Sequence, residues 1–501
     1  MLYNSTQNNE KVVSSAQAIA QGISEDGGLF VPQSFPKFSL ADIEGMLSAS
    51  YQDRAKAVFK CYLTDFTDDE IADCVDKAYT KEKFESENPA PITSVDYNSK
   101  ELNILELWHG PTCAFKDMAL QILPHLLTKS LKKTADGIKA VILVATSGDT
   151  GKAALEGFKD VENTQIIVYY PENGVSAMQK HQMNTQAGDN VYVCAIKGNF
   201  DDAQTGVKKI FTDPANSEVL KNNGMMFSSA NSINWGRLLP QIVYYVSAYC
   251  DMVNSGKVQL GEKINIVVPT GNFGNILAAY YACEMGIPVN KFICASNSNN
   301  VLTDFINTGV YDKNRDFYTT ISPSMDILVS SNLERLLYKM ADNNDELVRD
   351  LMNKLKTDGV YEVPAQIKER ITSCFFGGFC DEDSTKATIK NLFESKKYLC
   401  DTHTAVAVSV YDDYVEKTGD KTPAVIASTA SPYKFSKSVL EAISSDTLPE
   451  SEFDMVDMLY SISDTKVPAP IAELKGLTAR FDNVTDKDEM KQTVFNALGI
   501  N

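Results

Sequence analysis

The chain predicts an α/β protein with parallel sheets, and three observations carry that prediction. Five short, continuously apolar runs rich in β-branched residues recur along it: residues 138–145, 166–170, 264–269, 291–295 and 424–428. Helical stretches separate them, the pattern of parallel strands covered on both faces. Glycine-containing turns follow the first and third runs (146–151 and 270–275) and lead straight into helices at 152–158 and 276–285. The second of these helices stops at Gly286 with Pro288 just beyond, a C-terminal signature.

The 501 residues suggest about three domains. Residues 1–95 read as an N-terminal, mainly helical domain around one short loop element, Gly27-Gly28-Leu29-Phe30-Val31-Pro32. Two prolines within three positions, Pro89 and Pro91, place a boundary near its end. The α/β signal then occupies residues 96–440 as two lobes, the smaller at about 136–260, and an acidic helical segment, 441–501, closes the chain.

Hydrophobic residues make up 44% and charged residues 23%, an ordinary globular composition that excludes a disordered or disulfide-scaffold protein. The net charge of −19 argues against nucleic acid or an anionic membrane as partner, though a local pocket can still take a small phosphorylated ligand. The ten cysteines form no C-x-x-C pair and no zinc-like grouping with the four histidines, so no metal site is expected and the thiols read as reduced. The N-terminus lacks a signal-peptide pattern and no run of eighteen apolar residues occurs, so a soluble cytoplasmic protein is expected.

Three loops carry the chemistry. In Pro269-Thr270-Gly271-Asn272-Phe273-Gly274-Asn275, two glycines at a strand-to-helix turn let backbone N–H groups converge on an anion favoured by the helix dipole. No Lys-Ser/Thr follows and the spacing is not G-x-G-x-x-G, so the phosphate is not that of ATP or NAD. In Thr146-Ser147-Gly148-Asp149-Thr150-Gly151, hydroxyls and amides suit a small carboxylate, although Ser147 or Asp149 could equally cap the next helix. In His109-Gly110-Pro111-Thr112-Cys113-Ala114-Phe115-Lys116-Asp117, Lys116 lies beside Phe115 and before an apolar helix at 118–127. Burial and a helix N-terminus both lower a lysine pKa, which a Schiff base needs. His109 reads either as a packed imidazole or as a catalytic one. A nucleophilic lysine, a phosphate cradle and a carboxylate loop together describe an enzyme using pyridoxal phosphate on an amino acid.

At this point the sequence resembles the threonine synthase family. The segment 106–120 (ELWHGPTCAFKDMAL) is similar to the family's cofactor-attachment region, which implies Lys116 as the Schiff-base lysine. Residues 22–32 (GISEDGGLFVP) resemble its N-terminal signature, which the related dehydratases lack. The TSGDTG and GNFGN loops match its substrate and phosphate loops, implying that Thr146, Ser147, Gly148, Asp149 and Thr150 meet substrate and that Gly271, Asn272, Phe273, Gly274 and Asn275 meet the cofactor. Residues 228–234 and 322–326 also look like family blocks. Two departures stand out: Thr402 replaces the proline of a DPHTAV block, and Ser431 replaces the histidine of STAHPAKF. That last block implies Thr429 as the hydrogen-bond partner of the pyridine nitrogen.

The resemblance implies the tryptophan-synthase-like fold, with two α/β lobes holding the cofactor between them. It implies a monomer or homodimer that converts O-phospho-L-homoserine and water to L-threonine and phosphate, the last step of threonine biosynthesis. A second phosphate then needs a cation, and Arg237 in Asn234-Trp235-Gly236-Arg237 is the candidate, the alternative being a surface salt bridge.

Overall fold

The computed structural model describes residues 1–146, 148–173 and 175–500. Its largest sheet has six strands in the order Phe375–Phe379, Val289–Ser296, Ile264–Pro269, Ala424–Ser428, Lys100–Glu106 and Ile92–Tyr97. All neighbours are parallel except the last pair, which is an antiparallel edge. Every residue of Ile264–Pro269 and Ala424–Ser428 is buried, which is why these strands are apolar on both faces instead of alternating. A second sheet of five parallel strands runs Val484–Asp486, Val191–Lys197, Thr164–Pro171, Lys139–Ala145 and Met225–Ser228. These are the two lobes that the apolar runs predict.

The parallel arrangement decides where the functional loops go. Ile264–Pro269, Ala424–Ser428 and Lys100–Glu106 are neighbours pointing the same way. Their C-terminal ends therefore bring the GNFGN turn, Thr429 and the loop to Lys116 to one edge of the sheet, where ligands of open α/β sheets bind. The TSGDTG turn leaves the same end of Lys139–Ala145 in the second sheet.

Helix Trp235–Asn254 spans the core between these parts. Seventeen of its residues are buried, so it has no solvent face, and it packs on helices Gly274–Glu284 and Tyr51–Tyr62. Trp235 at its start is fully buried against Tyr3 and Tyr62, with ring centroids 5.1 and 5.4 Å away, and this docks the N-terminal domain on the core.

Three expectations change. The N-terminal domain is mainly helical, as expected, but Leu2–Ser5, Asn8–Ser14 and Phe30–Pro32 add an antiparallel sheet, so the GGLFVP element ends in a strand. The polar run NNEKVVS hides its strand because it carries no apolar alternation. The single helix expected at 118–127 is two helices, Asp117–Leu120 and Leu123–Thr134, with Pro124 in the first turn of the second. The C-terminal segment is mostly helical but also contributes Val484–Asp486 to the edge of the smaller sheet. Among the described residues, no helix is long and apolar enough to cross a membrane.

Candidate active site

Lys116 stands at the start of helix Asp117–Leu120, where local chain reversal is fixed by Asp117. The Asp117 carboxylate accepts the Thr112 N–H at 2.8 Å and the Thr112 hydroxyl at 2.7 Å. Burial raises that carboxyl to about 6. Burial also lowers the Lys116 ammonium to about 8, with Lys434 and Arg237 adding to the effect and Asp149 opposing it. Its amine donates to the Ser324 hydroxyl at 3.3 Å and lies 5.1 Å from the Phe115 ring centre. This is the neutral-capable lysine that the sequence predicts.

The loop before Lys116 is stitched to the segment carrying Thr429. Phe115 N–H donates to the Thr429 carbonyl at 2.8 Å and Ser431 N–H to the Cys113 carbonyl at 3.0 Å, with a bridge between Ala114 and Ala430. Thr429 is 6% exposed, and its hydroxyl makes no hydrogen bond among the described residues, so it can meet a ligand. Ser431 is fully buried and caps the 3-10 turn Pro432–Phe435, its hydroxyl accepting the Tyr433 N–H. The imidazole of this region is His403. Its Nδ1 faces Asp401 at 2.8 Å and its Nε2 accepts the Ser324 N–H at 3.2 Å, which assigns the proton to Nδ1. Thr402 occupies the first helical position where proline is favoured, and Asp401 caps the helix in either case.

The GNFGN turn has the form of an anion cradle. The Gly271 carbonyl accepts the Ser330 hydroxyl at 2.8 Å, and the Asn272 carbonyl accepts both the Asn332 N–H (3.1 Å) and its side-chain amide (3.0 Å). In a planar peptide the N–H points opposite its carbonyl, so the Asn272 and Phe273 amides face the other way. Phe273 adopts the left-handed conformation (φ 63°) at the start of helix Gly274–Glu284, a strained geometry typical of ligand clamps. A Cβ at Gly271 would meet the Ser324 carbonyl at 2.4 Å, so only glycine fits there. The Asn275 amide nitrogen is buried without a partner, while its oxygen accepts the Tyr245 hydroxyl.

Arg237 is 4% exposed and forms no ion pair among the described residues. One nitrogen donates to the Ala230 carbonyl at 2.6 Å, Nε has no partner, and burial lowers the guanidinium to about 10. The surface salt bridge is therefore excluded, and a buried cation with an idle donor asks for an anion.

The TSGDTG turn holds itself together differently from the expected carboxylate site. The Thr146 hydroxyl accepts the Gly148 and Gly151 amides at 3.0 and 2.9 Å, so it caps its own turn. Gly148 precedes the helix, and Thr150 is half-buried in its first turn; Ser147 lies outside the described residues. Asp149 pairs with Lys434 at 2.9 Å, both buried, and accepts the Gln179 amide at 3.1 Å. Burial would raise its carboxyl, but Lys434 and Lys116 overcome this and hold it well below the usual range. Lys434→Met should leave that carboxylate buried and unpaired and cost about 3 to 5 kcal/mol. Urea denaturation measures the loss, and adding Asp149→Asn should recover most of it.

His109 resolves to the packed alternative. It faces Glu106 at 2.8 Å and stacks on Trp108 at 4.2 Å, while the Tyr398 hydroxyl donates to Glu106 at 3.0 Å. Residue-by-residue reading of the loops missed Lys434, His403 and Asn332. Only the STAHPAKF-like and DPHTAV-like blocks point to the first two, and nothing local marks the third. Among the described residues no cluster of His, Cys, Asp and Glu is placed to hold a metal.

A lysine of lowered pKa, an amide cradle with an orphaned donor at Asn275, and an unused Thr429 hydroxyl fit a phosphorylated aldehyde with a ring nitrogen. Those are the three features of pyridoxal phosphate, and this places the chain in a class of enzymes. The sequence matches the family described as "Pyridoxal-phosphate dependent enzyme" over residues 84–359. It matches "Threonine synthase N terminus" over 2–79 and "Threonine synthase, C-terminal" over 404–494. The threonine synthase of Saccharomyces cerevisiae is 37% identical over 482 residues, 90% of this chain and 92% of that protein. Human "Threonine synthase-like 1" is 40% identical over 456 residues, 89% of this chain; the chain spans 60% of the length of that relative. The structure superposes on the PLP-bound threonine synthase from Brucella melitensis with a TM-score of 0.87 at 34% identity, covering 99% of both chains. On the yeast enzyme the TM-score is 0.89 at 33% identity, covering 99% of this chain and 98% of that one. The chain belongs to the threonine synthase family.

Proposed function

We propose that this chain converts O-phospho-L-homoserine and water to L-threonine and phosphate. The observation that carries the reading is Arg237, a buried cation with no counter-ion among the described residues, close enough to Lys116 to help lower its pKa. An enzyme with one phosphate to hold needs only the cradle, whereas a phosphorylated substrate accounts for both. Lys116 and the amides of Asn272–Asn275 hold the cofactor, and the Thr429 hydroxyl meets its ring nitrogen. When bound, pyridoxal phosphate supplies an electron sink for the bonds at the substrate's Cα.

The residues then divide the work. Lys116, poised to exchange a proton near neutral pH, carries protons among Cα, Cβ and Cγ. Arg237 binds the leaving phosphate and stabilises its charge as the Cγ–O bond breaks. In net terms Cγ loses phosphate and gains a proton, while Cβ loses a proton and gains the hydroxyl of water. The Asp401–His403–Ser324 contacts keep the Ser324 hydroxyl against Lys116. Asp149 and Thr150 line the approach from the smaller lobe at the start of helix Asp149–Phe158, and Thr146 shapes the turn they leave.

In oxygen-labelled water the threonine hydroxyl should carry label and the phosphate none. Mass spectrometry of both products reads this. Labelled phosphate with homoserine would mean P–O cleavage, and an oxoacid would mean simple elimination; either rejects the proposal. The ten free thiols and the net charge of −19 support a cytoplasmic enzyme acting on a small molecule, without nucleic acid or membrane partners.

A further inference from the structure

Arg335 is among the largest fully buried side chains, and it forms no ion pair among the described residues. Its three bonds go to three separate parts of the chain. Nε donates to the Phe30 carbonyl of the N-terminal sheet at 3.0 Å. One terminal nitrogen donates to the Ile233 carbonyl at 2.6 Å, just before the helix that carries Arg237. The other donates to the side-chain oxygen of Asn332 at 2.5 Å. Asn332 passes the constraint on: its amide donates to the Asn272 carbonyl at 3.0 Å and to the Ser232 carbonyl at 3.3 Å. With its oxygen held by Arg335, the Asn332 amide has one orientation, and its N–H groups pin the Asn272 carbonyl outward. That peptide orientation aims the next amide at the anion.

The N-terminal sheet is held against the same corner by its own contacts. The Gln7 amide donates to Glu334 at 3.0 Å, and the Thr6 hydroxyl also reaches Glu334. The Leu29 N–H donates to the Thr6 hydroxyl at 2.8 Å. The GGLFVP element therefore ends in a carbonyl that a buried guanidinium reads. A buried guanidinium bonded only to neutral acceptors among the described residues is costly to a fold, and it is tied through Asn332 to the turn whose amides face a phosphate.

We propose that Arg335 is a positioning residue for the cofactor phosphate, orienting the Asn272–Phe273 peptide through Asn332 and making the N-terminal sheet part of the phosphate site. This rests on the reading of GNFGN as the pyridoxal phosphate cradle. Lysine cannot replace Arg335, because a single ammonium cannot span three acceptors in a fixed fork.

The test titrates purified apoenzyme with pyridoxal phosphate and, separately, with pyridoxal, which lacks the phosphate, following absorbance and protein fluorescence. Arg335→Met should weaken pyridoxal phosphate binding about 100-fold and Arg335→Lys or Asn332→Ala about 10-fold, with pyridoxal affinity changed less than about twofold. Equal losses for both ligands would show a merely structural role and overturn the proposal, as would unchanged pyridoxal phosphate affinity in folded variants. Asn332→Ala keeps the charge and removes one side chain, so it decides the matter if circular dichroism shows Arg335→Met unfolded. If wild-type apoenzyme does not prefer pyridoxal phosphate over pyridoxal, the cradle reading itself fails, which is a different result from wild-type preference retained in the variants.

Discussion

Lys116→Ala should reduce turnover by at least about 10⁴-fold while the protein stays folded. The side chain's one hydrogen bond among the described residues goes to Ser324 at 3.3 Å, so its removal strands no strong partner there. Stability should change little, because burial already disfavours the ammonium. With its pKa lowered to about 8, roughly half of Lys116 is neutral at pH 8, against about 0.3% for an ordinary lysine. It should therefore outcompete the other lysines for an aldehyde by about 100-fold. The sign is testable: the advantage is fully present below about pH 8 and shrinks as the solution approaches pH 10.5, where ordinary lysines also lose their protons. Borohydride reduction of the holoenzyme and peptide mapping should place the pyridoxyl group on the peptide containing Lys116. Lys434 is the competing buried amine, but it is engaged by Asp149 and the Thr112 carbonyl at 2.9 and 2.8 Å, and label found there would refute the assignment.

Gly274→Asp should weaken pyridoxal phosphate binding by at least about 100-fold with little loss of fold. A Cβ at this position meets the side-chain nitrogens of Asn332 and Gln241 at 3.5 and 3.6 Å, ordinary contact distances. The backbone of Gly274 has no positive φ, so an L-residue is accepted there. The new carboxylate lies at the helix N-terminus, where it takes up amides meant for the phosphate and repels its charge. Gly274→Ala separates bulk from charge and should lose far less affinity. Fluorescence titration of the apoenzymes reads both, and unchanged affinity in the aspartate variant would mean that the loop is only a turn.

The difference between Gly271 and Gly274 illustrates how far local sequence reaches. Both glycines mark the turn, and the strand before them and the helix after them are legible from apolar runs and end signals alone. The reason for Gly271 is the Ser324 carbonyl 2.4 Å from its missing Cβ, a contact from a distant segment. Strands 264–269 and 424–428 are found at those bounds because both faces are buried, so their sequences are apolar without interruption. The N-terminal strands escape notice because their polar residues give no such pattern.

Composition and local pattern thus determined the two α/β lobes, the strand-to-helix turns and the lysine at a helix start, since each depends on neighbours within one or two turns of chain. The tertiary structure alone decided that Arg237 is a buried cation and not a surface ion pair, because burial depends on what packs over a helix. It alone paired Asp149 with Lys434, placed His403 behind Ser324, and joined Phe30, Ile233 and Asn272 through Arg335 and Asn332. Those partners lie far apart in sequence: the parallel register brings the strand ends to one edge, and the packing of the antiparallel N-terminal sheet and of neighbouring helices on that edge sets the rest within hydrogen-bonding distance.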